Sequence, residues 1–355
     1  MRAQIKLPVK QDSAPAGAES PSSNGTGAAA DKPLSLVPAA FKIKFQTKNN
    51  AFADGTFRTL VILCALSVMV IVGLIAFELV RQSHLSMAKF GFKFLSTSIW
   101  DPVAENFGAL PAIYGTLVSS LLALVLAVPL SLGTALFITE ICPRRLRGIL
   151  SLLVELLAAI PSVIYGLWGI FFLAPLLRTE GQPFLARYFG WTGLFEGPKY
   201  GIGMLAAGII LAIMILPIIT SISREVMLAV PRQQREAALA LGATRWEVLR
   251  IAVLRNARAG IFGAIILGLG RAIGETMAVT MVIGNRPEIA RSLFAPGYTL
   301  ASMIANEFSE ATSDMHLSAL VEVGLVLFAI TLIVNAIAQF MIWSITRGMP
   351  ARNIA

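Results

Sequence analysis

The chain has 355 residues, of which 56% are hydrophobic and only 14% charged, and it carries a formal charge of +9. That balance is too apolar for a soluble domain of this length and places the chain among membrane proteins. Two cysteines, Cys64 and Cys142, and two histidines form no metal-ligand spacing and no disulfide framework.

Residues 1–57 are rich in Ala, Pro, Ser and Gly, with scattered lysines and no apolar period. They read as a disordered cytoplasmic tail, and no signal-peptide core lies near Met1. Six apolar stretches follow, near 58–80, 112–138, 149–177, 203–223, 259–283 and 317–344. Each is close to the ~20 residues that cross a bilayer as a helix. Pro129, Pro161 and Pro217 fall inside these stretches, where neighbouring helices take up the freed carbonyls. Of the 29 Lys and Arg, 20 lie in 1–58, 139–148, 224–258 and 345–355, and eight lie in the three alternate loops. The excess puts both termini, including the short tail 348–355, in the cytoplasm, so the basic charge is topological and calls for no nucleic acid. The expected fold is an all-α membrane protein with six transmembrane helices over 58–347.

Between the first two stretches, Phe90, Phe92, Phe94 and Trp100 read as an interfacial segment at headgroup level, and Asp101-Pro102 starts a turn or helix. Residues 224–258 are polar. Pro231 can open a helix at its first position, and Gln233–Leu241 is built of good helix formers. Gly242 stands where a left-handed C-terminal residue is needed, and Thr244 with Glu247 makes a capping box for a second helix. In the fifth stretch Arg271 lies eleven residues beyond Gly260, ~16 Å into the membrane, where an arginine is expensive and functional by default. Glu275, four residues on, lies on the same helix face and is expected to be the resting partner of Arg271. Gly270 and Gly274 form a small-x3-small pair for close helix approach. In the last stretch Asn335 is expected to make an interhelical hydrogen bond, Glu322 also lies within it, and His84 and His316 receive no role.

Glu236-Ala237-Ala238, three residues and Gly242 resemble the EAA loop of the permease subunits of binding-protein-dependent ABC importers. The family continues, nine residues on, with Ile, any residue, Leu, Pro; this chain has Ala252, Val253, Leu254 and Arg255. The runs Phe107-Gly108-Ala109-Leu110-Pro111 to Leu117, Ile160 to Gly166, and Gly270 to Val279 with Gly284-Asn285 are similar to the phosphate-importing permeases of that family. Permeases for sulfate and molybdate carry a similar Arg-Ala-x-Gly-Glu core.

The resemblance implies a type I importer permease fold with a cytoplasmic coupling helix in the prokaryotic cell membrane. It implies a non-catalytic subunit with Glu236, Ala237, Ala238 and Gly242 docking an ATPase, and Arg271 and Glu275 in the path of phosphate. Its partners are then a second permease subunit forming a heterodimer, two ATPase subunits and an extracytoplasmic phosphate-binding protein, with membrane lipid around them. No cofactor is expected on this chain, since ATP and Mg belong to the partner ATPase. In agreement, no glycine is followed by lysine, so there is no P-loop. Two alternatives stay open at this point, a permease for another tetrahedral oxyanion and an ion-coupled secondary anion carrier.

Overall fold

A computed structural model describes residues 51–346, with side chains from 55 to 344. The tail residues 1–50 and 347–355 lie outside the described part. The helix expected from 58 already begins at Ala51. Six helical runs are long and apolar enough to cross a membrane: Gly55–Gln82, Leu110–Ile141, Ser162–Thr192, Met204–Leu228, Arg245–Ile273 and Asp314–Ser344.

In chain order, α1 is Ala51–Gln82 and two short helices follow, α2 (His84–Phe90) and α3 (Lys93–Ser96). The second run is α4 (Leu110–Leu136), ended by a π turn over Phe137–Ile141, and α5 (Arg144–Ala158) comes next. The third run joins α6 (Ser162–Trp168), α7 (Ala174–Leu176) and α8 (Gln182–Phe189) through π turns. Helix α9 (Met204–Leu228) is the fourth run, and α10 (Arg232–Ala240) and α11 (Arg245–Val248) form the hairpin. A π turn over Leu249–Leu254 leads from α11 into α12 (Arg255–Ile273), then come α13 (Met277–Val282), α14 (Leu300–Glu307) and α15 (Asp314–Thr346).

Helix α9 is the centre of the bundle. It is buried on nearly every face, with Ile210, Ile215 and Ile219 fully enclosed between α4 and α12. Small residues permit this closeness. A Cβ on Gly208 would run into Leu122 of α4, and one on Gly268 would lie 2.8 Å from the Ile219 side chain. At the level of Pro129 and Pro217, Ser131 Oγ donates to the Leu216 carbonyl at 3.1 Å and Thr220 Oγ1 donates to the Ser131 carbonyl at 3.4 Å. Hydroxyls thus tie the two proline-bearing helices where their own ladders are interrupted. By contrast, none of the most apolar stretch of the first run is buried, so that helix meets its surroundings along its length.

Three expectations need correction. The stretch 149–177 is not one helix. Pro161 disfavours helical geometry at Ile160, so α5 stops at Ala158 and the third run starts afresh at Ser162 and continues to Thr192. Helix α5 becomes a separate amphipathic helix, with Leu146, Ile149, Leu152, Leu153 and Leu156 exposed. The aromatic segment also differs from an interfacial belt. Phe94 is fully buried and Trp100 nearly so, packed with Phe107 at 4.8 Å from the Trp100 ring, and only Phe92, 92% exposed, points outward. The turn at Asp101 closes over these rings, with its carboxylate accepting from the Val103 and Ala104 amides. Finally, Asn335 is exposed and makes no hydrogen bond among the described residues.

Candidate coupling surface and substrate path

The hairpin forms as its residues require, shifted by one position at its start: Pro231 is the N-cap of α10, and Arg232 is the first helical residue. Gly242 has φ of +83°, the left-handed region that ends α10. Two residues on, Thr244 caps α11: its amide and hydroxyl donate to Glu247 Oε2 at 2.7 and 2.8 Å, while the Glu247 amide returns a bond of 3.4 Å to Thr244 Oγ1. No residue of α10 is buried, and Glu236 and Ala237 are exposed, with Ala238 half-buried. Leu239, Leu241 and Trp246 stand exposed beside them. Exposed apolar side chains grouped at the tip of a polar hairpin are costly in water, which makes this turn a candidate contact surface.

The fifth run carries the second site. Its helix does not continue through Glu275. Helix α12 stops at Ile273, Gly274 and Glu275 make short closing bonds to Gly270 and Ala272, and α13 starts at Met277. Arg271 is therefore two residues from the end of α12. Its side chain is exposed and forms no ion pair among the described residues. Glu275 is half-buried, and its Oε1 accepts from the Ala278 amide at 3.3 Å, so it serves the start of α13. The expected pairing of Arg271 with Glu275 on one helix face is thus corrected: the helix ends between them.

The same break removes the expected packing role of Gly270 and Gly274 within this chain. A Cβ on Gly270 would meet nothing within 4 Å, and one on Gly274 only the Gly270 carbonyl. Gly263 is equally open, and Leu267 and Met277 are exposed. One side of α12, with Arg271 upon it, is therefore left uncovered by the chain's own helices. The close contacts belong to other glycines. Gly166 of α6 abuts Met281 and Ala278 of α13, which places the Ile160–Gly166 run directly against the Gly270–Val279 run. Tyr165 is buried there, its hydroxyl bonded to the Leu157 carbonyl at 2.8 Å, within electrostatic reach of Arg271. A broken helix in a membrane is tolerated where freed backbone lines a cavity or an aqueous path.

A third cluster, which the sequence reading missed, lies at the end of the bundle opposite the hairpin. Glu307 Oε2 accepts from Trp100 Nε1 at 2.6 Å and lies 3.2 Å from His316 Nε2, and the His316 ring stacks on Phe107 at 5.2 Å. Tyr298 is buried beside them, its hydroxyl accepting from Asn306 Nδ2 at 2.9 Å. Burial pushes that phenol up to about 12. Trp100, Tyr298, Asn306, Glu307 and His316 line a cleft of about 660 Å³ with Asn285 and Glu310. They come from a loop before α4, a loop before α14, the end of α14 and the start of α15, so no local pattern marks them. Among the described residues, no group of His, Cys, Asp and Glu is placed to hold a metal ion.

The six-helix bundle, the exposed hairpin and the uncovered side of α12 are the architecture of a membrane protein with surfaces open to other chains. The family model for the binding-protein-dependent transport system inner membrane component matches residues 127–346, and the chain belongs to that family. The chain is 50% identical over 299 residues to the phosphate transport system permease protein PstC of Mesorhizobium japonicum, covering 83% of this chain and 91% of that protein. It is 45% identical to the PstC of Pasteurella multocida, over 84% of this chain and 94% of its relative. Among solved structures, a bacterial ABC transporter for the import of alginate matches 81% of this chain and 98% of its own with a TM-score of 0.50 and 17% identity, which speaks for the fold alone. The protein is therefore a multi-pass membrane permease of the ABC importer class, and the self-sufficient ion-coupled carrier is set aside.

Proposed function

We propose that this chain is one of two permease subunits of an ATP-driven importer of inorganic phosphate, and that Arg271 meets the anion in the path between them. The observation that carries this is the exposed guanidinium at the break in the fifth run, which has no ion-pair partner among the described residues. A phosphate leaving water needs a compensating charge, and a guanidinium stays protonated and offers a planar fork to two oxyanion oxygens. The uncovered side of α12, with Gly263, Gly270 and Gly274 open upon it, is where the second permease subunit packs as a heterodimer. Half of the path then comes from each chain.

The hairpin docks one of two ATPase subunits through Glu236, Ala237, Ala238 and the apolar tip. This chain binds no cofactor; ATP and Mg stay with the ATPase. The excess of basic residues on the hairpin side puts both termini and the hairpin in the cytoplasm. The far-end cleft then faces the phosphate-binding protein outside. Phosphate is favoured over other tetrahedral oxyanions by the two phosphate transport relatives and the extent of identity with them.

The test is radiolabelled phosphate uptake by cells lacking their own high-affinity importer and supplied with this gene and its neighbours. Uptake should depend on all the subunits and resist a large excess of sulfate and of molybdate. Uptake that sulfate or molybdate abolishes would transfer the same architecture to another oxyanion.

A further inference from the structure

Helix α10 poses a mechanical problem. It has nine residues and buries none of them, and helices this short are marginal on their own. If it merely hung from its two turns, a push on it would bend the hairpin and leave the spans where they were. Its side-chain bonds to the rest of the bundle come from two adjacent residues. Arg235 Nη1 lies 2.8 Å from Glu140 Oε1, on the π turn that ends α4, and Arg235 Nη2 donates to the Met227 carbonyl, in the last turn of α9, at 2.8 Å. On the other side, Asn256 Nδ2, in the first turn of α12, donates to Gln234 Oε1 at 2.8 Å.

We infer that Gln234 and Arg235 form a two-way clamp that passes movement of α10 to the path, Arg235 gripping α4 and α9 while Gln234 grips α12, which carries Arg271. The ion pair differs from an ordinary surface pair. The two side chains are only 22% and 25% exposed, and the guanidinium is divided between a carboxylate and a carbonyl, a charge-assisted arrangement with fixed direction. Beneath it the three helices form a solid block. Ala135, Met227, Val253, Ala257 and Ile261 are buried together, and a Cβ on Gly260 would lie 2.5 Å from Val226. A packed core of that kind transmits displacement rather than absorbing it. Glu140 lies on one π turn and Asn256 two residues beyond another, and such widened turns recur at functional positions in helices.

The inference rests on the reading that α10 meets the ATPase, and the experiment keeps the two apart. The complete importer is purified and reconstituted with wild-type chain, Arg235→Glu, Arg235→Lys, Asn256→Ala, or the exchanged pair Arg235→Glu with Glu140→Arg. ATPase content, hydrolysis stimulated by phosphate-loaded binding protein, and uptake per ATP are measured on each. The expected result is full ATPase content throughout, with stimulation and uptake falling roughly 2- to 30-fold, the range of coupling changes along a transmitting network. Arg235→Glu should be worst, Arg235→Lys intermediate, and the exchanged pair should regain at least half of the loss. Asn256 is exposed, so its variant assembles even if an Arg235 variant does not, and it alone still decides the Gln234 arm. Unchanged stimulation in assembled Arg235→Glu or Asn256→Ala would overturn the clamp, as would an exchanged pair no better than Arg235→Glu. Loss of the ATPase itself from these variants would point to a purely structural role for the contacts.

Discussion

Gly242 offers the cleanest single perturbation of the docking hairpin. Its φ is +83° and a Cβ added there would meet nothing within 4 Å. Any cost of substitution therefore comes from the backbone alone, not from a clash. An L-residue in the left-handed region costs ~1–2 kcal/mol, more if β-branched and less for asparagine, whose short polar chain tolerates it. The turn is shared by the end of α10 and the cap of α11, so the cost falls on the hairpin's docking conformation and not on the buried spans. A penalty of that size lowers the population of the docking conformer by about 5- to 30-fold, and the apparent affinity for the ATPase falls with it. The assay is binding of purified ATPase to permease heterodimers in detergent, for Gly242→Asn, Gly242→Ala and Gly242→Val. The order expected is Asn nearest to wild type, then Ala, then Val, with equal yields of folded heterodimer. Equal affinity for the Val and Asn variants, or equal loss of all three together with yield, would refute the reasoning.

Other outcomes follow from the same contacts. Gly268→Leu should lower the midpoint of thermal unfolding through overpacking against Ile219, a cost of about 1–3 kcal/mol, whereas Gly270→Ala should leave it unchanged in the isolated chain and weaken heterodimer formation instead. Tyr298 should appear as a late phenol in an alkaline ultraviolet titration, and Tyr298→Phe should remove it. Because its folded value is raised, to about 12, its contribution to stability is complete below the unfolded value near 10 and is lost as pH rises through the folded value. Topology reporters fused after Gly242 and after Gly197 should give opposite sides, with Gly242 cytoplasmic; a Gly242 fusion outside the cell would overturn the docking assignment.

Much of the fold was legible because a bilayer imposes length and apolarity on each crossing: six runs are present, although the third is displaced from 149–177 to Ser162–Thr192 and the fifth from 259–283 to Arg245–Ile273. The hairpin was legible in more detail, since Gly242, Thr244 and Glu247 act on neighbours within a few residues. What escaped were features decided by distant contacts. Phe94 and Trp100 look like belt residues in sequence, but Phe107 folds back on them and Tyr298 and Leu300 arrive from the region of α14 to enclose them. Pro161 was read as a tolerated kink, yet the helix breaks before it and α5 becomes a separate amphipathic element. Gly270 and Gly274 matched a packing pattern, and Gly166, Gly208 and Gly268 did the packing. A small-residue spacing shows that a close approach is possible; which glycine meets a neighbour depends on the helix arrangement.

The break after Ile273 changes what the charges of the fifth run should do when altered. Were Arg271 and Glu275 neighbours on one helix, each would protect the other from an unpaired charge in the membrane, and losing either would cost about the same. Among the described residues Arg271 has no ion pair, and Glu275 uses Oε1 to accept from the Ala278 amide. Glutamine keeps a carbonyl oxygen for that bond. Glu275→Gln should therefore preserve the start of α13, and uptake should fall no more than a few-fold, in line with one hydrogen bond changing from charged to neutral, about 1 kcal/mol. Arg271→Gln removes the only fixed charge proposed to meet the anion, and uptake should be lost while subunit assembly and ATP hydrolysis without substrate persist. Arg271→Lys should restore little, because one ammonium does not reproduce a planar fork. Exchanging the two residues should also fail, since it places the guanidinium beyond the end of α12 and leaves the path without its cation. Equal loss in Glu275→Gln and Arg271→Gln, combined with near-normal uptake in the exchanged protein, would mean that the two charges act as one pair and that the anion does not depend on where the arginine stands.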